Sequence, residues 1–305
     1  MTLTLHRVAV TLILIAILTT DHSILAQNNT TPPFTKQTDI LYATAENHPL
    51  LLDLYTPNNT PNPTNPPLIV WVHGGAWREG TKDEMPLLPL VNRGFAIASI
   101  DYRLSPVAPF PAQIHDIKAA IRYLRANAAA YNINTERIAI AGSSAGGHLA
   151  ALVGVTNNHP HLEGTIGNHT DQPSSVHAII DYYGPTDFTT ILDQSTVHGL
   201  GVRVPALQLL LGDQPENTPR LAKLASPVSH VDPNDPPLLI FHGDQDIQVP
   251  INQSHQLHGL YKKHNLTAQL EVVHNGGHGG DLFYQSNQLD QIDAFLQQHL
   301  KTSSP

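Results

Sequence analysis

Short apolar runs recur along the chain at Leu50–Leu54, Leu68–Val72, Phe95–Ile100, Ile138–Ala141, Val176–Tyr182, Pro237–Phe241 and Ala268–Val273, most of them flanked on at least one side by Gly, Pro or Asp. Leu68-Ile69-Val70-Trp71-Val72 is apolar on both side-chain parities, the pattern of a strand buried on both faces of a parallel sheet. Between the runs the period changes. Ile114, Ile117, Ile121 and Leu124 recur at three- and four-residue steps, while Asp116, Lys118, Arg122 and Arg125 point elsewhere, which predicts an amphipathic helix. Strand and helix alternation of this kind predicts an α/β fold with a mostly parallel central sheet and helices on both faces. Residues 188–227 are the least regular stretch. Leu207–Leu211 and Pro219–Leu224 read there as two helices, forming either a lid or a plain connection over the C-terminal edge of the sheet, where ligands of open α/β sheets bind.

The N-terminus departs from this cadence. Arg7 precedes the apolar stretch Val8–Leu18, polar residues follow, and Ala26 offers a cleavage point, so residues 1–26 read as a secretory signal peptide too short to span a bilayer. The mature chain is then expected to be secreted or periplasmic, without stable membrane insertion. Residues 27–37 are polar and contain proline, which predicts a flexible lead-in before a catalytic domain at 38–300.

Composition narrows the function classes. At 305 residues and 41% apolar content, the chain can bury the core of one large domain. A formal charge of −9 without a basic block leaves no electrostatic footprint for nucleic acid, so a small-molecule or polysaccharide substrate is expected. The absence of cysteine removes disulfides, a thiol nucleophile and Cys-rich zinc sites. His274 and His278 are four apart, but the glycines around them argue against a helix aiming both at one metal, and neither a metal nor another cofactor is expected.

The predicted chemistry gathers at the ends of predicted strands. Gly142-Ser143-Ser144-Ala145-Gly146 follows the run Ile138–Ala141 and precedes a small-residue helix, so Ser144 sits at a strand–turn–helix apex as a candidate nucleophile. The start of that helix offers unpaired N–H groups where negative charge would develop. His73-Gly74-Gly75-Ala76-Trp77 follows Val72. Its glycines let backbone amides approach a ligand, so Gly75 and Ala76, with Ala145, are candidate oxyanion donors. Trp77 is a candidate for lining the substrate pocket, with packing beneath the loop as the other reading. His242-Gly243-Asp244-Gln245-Asp246 delivers two candidate carboxylates after the strand ending at Phe241, and position alone does not separate Asp244 from Asp246. His278, within the Gly-rich loop after Val273, is better placed than His274 to reach the serine. Ser, Asp, His in chain order is the order of an α/β-hydrolase.

With these motifs, together with Asp101-Tyr102-Arg103-Leu104-Ser105-Pro106, Asp181-Tyr182-Tyr183-Gly184-Pro185 and Ala225-Ser226-Pro227-Val228, the chain resembles the α/β-hydrolase carboxylesterases of the hormone-sensitive-lipase-like group, in particular the BD-FAE-type branch of feruloyl and acetyl xylan esterases. The resemblance covers most of residues 38–300. It implies that the acid is the second aspartate of His-Gly-Asp-x-Asp, Asp246, completing a Ser144, Asp246, His278 triad. It also implies hydrolysis of short or aromatic acyl esters, such as acetyl or feruloyl groups on plant polysaccharide. A general short-chain carboxylesterase or lipase, a formamidase-like amide hydrolase, and a catalytically silent binding protein on the same fold are the competing readings. The chain departs from the family at Ala76, where many relatives carry a third glycine, and at Val107, where acidic residues are frequent.

Overall fold

The computed structural model describes residues 32–58 and 65–300. The expected signal peptide at 1–26 lies outside the described residues. Eight strands form one sheet: β1 (Phe34–Ala45), β2 (His48–Pro57), β3 (Pro67–Val72), β4 (Ala96–Ile100), β5 (Asn134–Ser143), β6 (Ala178–Tyr182), β7 (Leu238–Gly243) and β8 (Ala268–Val273). Their spatial order is β1-β2-β4-β3-β5-β6-β7-β8. The hairpin β1–β2 and the pair β2–β4 are antiparallel, and every pairing from β4 through β3 to β8 is parallel. The parallel strands therefore end together on one edge, which is where the chemistry-bearing loops emerge.

Alternation along each strand divides the core in two. Leu68, Val70 and Val72 of β3, with Ile138 and Ile140 of β5, face Ile117 and Ile121 of the helix Ala112–Ala126 and Leu149 and Leu152 of the helix Ala145–Gly154. Ile69 and Trp71, with Ala139 and Ala141, face the opposite way, toward Leu90 and toward Ile292, Phe295 and Leu296 of the helix Ser286–Leu300. Such a two-sided sheet explains why its central strands read as unbroken apolar runs.

Two expectations change. The lead-in ends early: from Phe34 onward the backbone is strand, with Phe34 opposite Pro57 and Gln37 opposite Leu54. Polar composition gave no hint of this, because β1 is an edge strand whose outer face is solvated. The polar positions of the helix Ala112–Ala126 do not face water either. Asp116 takes a bidentate contact from Arg103 at 2.8 and 2.7 Å, and Lys118 lies 2.5 Å from Glu163. The loop carrying Glu163 covers that side of the helix, and Asp116, Lys118 and Arg122 each face an opposite charge there.

Residues 188–227 hold the helix Val197–Leu211, longer than the apolar run Leu207–Leu211 indicated, and the short helix Pro219–Leu224. Thr196 caps the longer helix by accepting from the Gly199 N–H at 3.0 Å, and its hydroxyl donates to Ile247 O, fastening the helix to the loop after β7. Among the described residues no helix is long and apolar enough to cross a membrane.

Candidate active site

Ser144 stands between β5 and the helix Ala145–Gly154 with φ 54° and ψ −117°, a conformation that costs a non-glycine residue energy and lifts the side chain off the sheet edge. Close packing forces the turn. A Cβ at Gly146 would lie 2.0 Å from Val72 O, and one at Gly142 would lie 2.3 Å from Gly146 O. The Ser144 N–H donates to Tyr182 O at 2.8 Å, and the Ser144 carbonyl accepts from His148 N at 2.9 Å.

The Ser144 hydroxyl donates to His278 Nε2 at 2.8 Å, and His278 Nδ1 donates to Asp246 Oδ2 at 2.7 Å. A carboxylate only accepts, so Nδ1 carries the proton and Nε2 is left as a base facing the serine. Asp246 Oδ1 accepts from the amides of Gln248 and Val249 at 2.8 and 2.9 Å. Burial raises a carboxyl's pKa, but here hydrogen bonds from His242 and His278, the charge of His278 and the Val249 amide outweigh it, and Asp246 is held well below the usual carboxylate range. Asp244 goes elsewhere: it pairs with the exposed His274 at 3.0 Å and accepts from Asn275 N at 2.8 Å. The two candidate aspartates, like His274 and His278, thus separate into different pairs.

The loop after β3 runs through a succession of left-handed residues, Gly75 (φ 97°), Ala76 (φ 50°) and Trp77 (φ 60°). At Gly75 a side chain is sterically barred, since a Cβ would lie 2.1 Å from Glu79 O. Ala76 adopts its φ with a methyl group in place. Gly75 and Ala76 line the cleft that also holds Ser144 and His278, and Ala145 follows Ser144 at the first turn of its helix. No backbone carbonyl among the described residues takes the N–H of Gly75, Ala76 or Ala145.

Trp77 does not line that cleft. It is fully buried, with its indole N–H donating to His148 Nδ1 at 3.0 Å and Phe188 edge-on at 5.4 Å. The expected substrate contact is corrected: the left-handed turn sends the indole down into the protein. There it supports the loop from beneath. His148 accepts from Trp77, so its other nitrogen donates to Ala225 O at 2.6 Å, and burial, reinforced by the charge of Arg203, pushes its pKa down to about 4.

The cleft, about 340 Å³, contains residues absent from the sequence-based expectation: Arg78, Tyr183, Arg203 and Gln248. Tyr183, at φ 44°, sets its ring 4.9 Å from the imidazole of His278. His242 was visible in its motif but had no role assigned. It is buried behind Asp246, with Nε2 2.9 Å from Val249 O and 3.4 Å from Asp246 Oδ2, and Nδ1 2.6 Å from Ser254 Oγ. Arg203 had no local signal, since a single arginine in an irregular segment marks nothing until the helix bearing it is docked. A larger cavity, about 510 Å³ between Phe188, Leu192, Pro215 and Pro219, shares no lining residue with the Ser144 cleft.

A mostly parallel sheet with a strained serine after its central strand, and a histidine and an aspartate supplied by later strand ends, defines an α/β-hydrolase. The chain belongs to the BD-FAE family, whose model matches residues 52–261. It is similar to Esterase LipC of Mycobacterium tuberculosis, with 33% identity over 238 residues, covering 76% of this chain and 57% of that protein. It is also similar to the probable isoprenylcysteine alpha-carbonyl methylesterase ICMEL1 of Arabidopsis thaliana, with 28% identity over 250 residues, covering 81% of this chain and 52% of that protein. The chain spans about half the length of the curated relatives it matches. Among solved structures it is similar to a truncated carbohydrate esterase from gut microbiota, with TM-score 0.79 and 34% identity over 88% of this chain and 98% of that one. The propionate-bound esterase Est2 of Thermogutta terrifontis superposes with TM-score 0.69 and 26% identity, over 88% of this chain and 94% of that one.

Proposed function

We propose that the protein is a secreted serine esterase that cleaves short or aromatic acyl esters, with acetyl or feruloyl groups on plant polysaccharide as the leading substrates. The observation that carries this reading is the hydrogen-bonded line from Ser144 Oγ through His278 to Asp246, at 2.8 and 2.7 Å. Similarity to a carbohydrate esterase supports the carbohydrate side of the proposal. The N-terminal pattern of residues 1–26 supports export.

In this reaction His278 Nε2 takes the proton of the Ser144 hydroxyl as Oγ attacks the ester carbonyl carbon. The carbonyl oxygen becomes an oxyanion facing the amides of Gly75, Ala76 and Ala145. One such donor contributes roughly 3 kcal/mol to lowering the barrier in comparable enzymes. Collapse breaks the bond to the alcohol, which leaves with the proton from His278, and the acyl group stays on Ser144. Water then gives a proton to the same nitrogen, attacks the acyl carbon and releases the acid, restoring the serine. Asp246 holds the Nδ1–H tautomer throughout and stabilises the imidazolium that forms twice per cycle.

Ser144→Ala should lower kcat/KM for p-nitrophenyl acetate by at least about 10³-fold, and a fluorophosphonate probe should label wild type but not the variant. Wild-type turnover in the variant would overturn the assignment. Acetate release from acetylated xylan, compared with cleavage of simple esters and N-formyl amides, tests the substrate class. Faster cleavage of N-formyl amides than of any ester would replace the esterase reading with an amidase one.

A further inference from the structure

Among the described residues five cations are buried: Lys82, Arg103, Lys118, Arg122 and Arg203. Four of them face carboxylates: Lys82 is 3.0 Å from Asp53, Arg103 2.7 Å from Asp116, Lys118 2.5 Å from Glu163 and Arg122 3.8 Å from Glu163. Arg203 has none. It is 1% exposed, and its Nε and Nη1 are buried without a hydrogen-bond partner. Its guanidinium lies 5.7 Å from the ring of Trp77, which engages one face of the fork but accepts none of its N–H groups. A buried charge left this way is costly unless something else completes it.

Arg203 lines the Ser144 cleft, as does the partly exposed Arg78, for which no ion pair is found among the described residues. Burial, with Arg78 adding to it and Asp246 opposing, pushes the Arg203 pKa down to about 10, so the group remains cationic at neutral pH. Asp246 cannot serve as its partner, because both carboxylate oxygens are occupied by His278 and by the amides of Gln248 and Val249. The carboxylates in the cleft, Glu79 and Glu84, are exposed, where water screens them.

We propose that Arg203, assisted by Arg78, is a carboxylate-recognition subsite, and that the preferred substrates are esters bearing a free carboxylate near the scissile bond. This deepens the esterase reading and rests on it. Arg203 brings a cationic guanidinium without a carboxylate partner to the wall of the Ser144 cleft, and a carboxylate is the anion whose charge and planar shape complement it. The carboxylate comes either from the alcohol side, as a uronate, or from the acyl side, as a dicarboxylic half-ester.

Two matched substrate pairs separate these sources: acetylated methyl glucuronoside against acetylated methyl glucoside, and mono-p-nitrophenyl succinate against p-nitrophenyl butyrate. Wild type should favour the carboxylate member of one pair by about tenfold or more in kcat/KM, chiefly through KM. Arg203→Met should cut turnover of that member at least about tenfold more than turnover of its neutral counterpart, and Arg203→Lys, which keeps the charge but loses the fork, should fall between. Equal losses on both members, or no preference in either pair, would overturn the proposal and make Arg203 a support for Trp77. Hydrolysis of the neutral members and its loss in Ser144→Ala report on the esterase reading separately. Calorimetric titration of Ser144→Ala with glucuronate and with succinate, each against its uncharged analogue, reads the subsite without catalysis. Binding of neither carboxylate would refute it, and binding that disappears in Ser144→Ala/Arg203→Met would support it.

Discussion

Asp244 and Asp246 leave the same turn after β7, and each meets a histidine from the loop after β8. The pairs share chemistry and differ in surroundings. His278 and Asp246 have side chains 11% and 0% exposed, whereas His274 and Asp244 are 83% and 32% exposed. The inner pair adds two backbone amides and a second imidazole, that of His242, around one carboxylate, and it ends on the Ser144 hydroxyl. The outer pair adds the Asn275 amide and ends in solvent, where water screens most of what the contact contributes. Pairing is decided where the two loops cross: a Cβ at Gly243 would lie 2.2 Å from Gly276 O, so the backbones touch and each histidine reaches a single aspartate.

The largest test of this contrast is Asp246→Asn beside Asp244→Asn. An amide at 246 presents a donor to His278, favours the wrong tautomer, and should lower kcat by about 10⁴-fold. The change at 244 should leave kcat within about twofold, because its partner does not touch the reacting atoms. Comparable losses in steady-state assays of the two variants would break the contrast. Acid should separate the pairs in the same direction. The folded pKa of Asp246 is depressed, so its contribution to stability is present above the unfolded carboxyl value near 4 and is lost as pH falls through the folded value.

Asp181, at the end of the adjacent strand β6, sharpens the comparison because it is buried without a cation. Its Oδ1 accepts from Gly184 N at 2.8 Å, Oδ2 has no partner, and burial raises the pKa to about 6 against the Gly184 hydrogen bond and the charge of His242. Here the folded state holds the proton more tightly. Stability therefore falls as pH rises from the unfolded value near 4 to about 6, and is level above that. Asp181→Asn removes this loss. Its stability relative to wild type should be higher at pH 8 than at pH 4 by up to about 3 kcal/mol, read from urea unfolding at each pH. A pH-independent difference would mean that Asp181 is ionised in the fold without cost.

The smallest expected effect belongs to the outer pair. His274→Ala should leave the thermal midpoint within about 1 °C of wild type at low and at high salt. A larger, salt-sensitive drop would give the exposed pair a role in holding the loop.

Much of this was legible because it depends on local pattern. The apolar runs 68–72 and 138–141 became β3 and β5 because a strand buried on both faces must be apolar at both parities. Ser144 was legible because a tight turn between strand and helix needs small residues on either side of its apex. Phe34–Gln37 was missed because an edge strand carries half the apolar signal of a central one. Trp77 stayed between lining the pocket and packing beneath the loop because a pattern of residue types does not reveal the three consecutive left-handed residues at 75–77 that turn its side chain inward.

By itself, then, the sequence determined the strand and helix periodicity, the elbow around Ser144, and the delivery of an acidic and a basic side chain after β7 and β8. Those depend on contacts between residues close in the chain. Tertiary structure decided which aspartate meets which histidine, that Trp77 packs beneath the loop, and that Arg203 joins the cleft without a counter-ion. Each of these depends on how closely two distant backbones approach and on what water is excluded between them, and packing sets both across separations such as the 134 positions between Ser144 and His278.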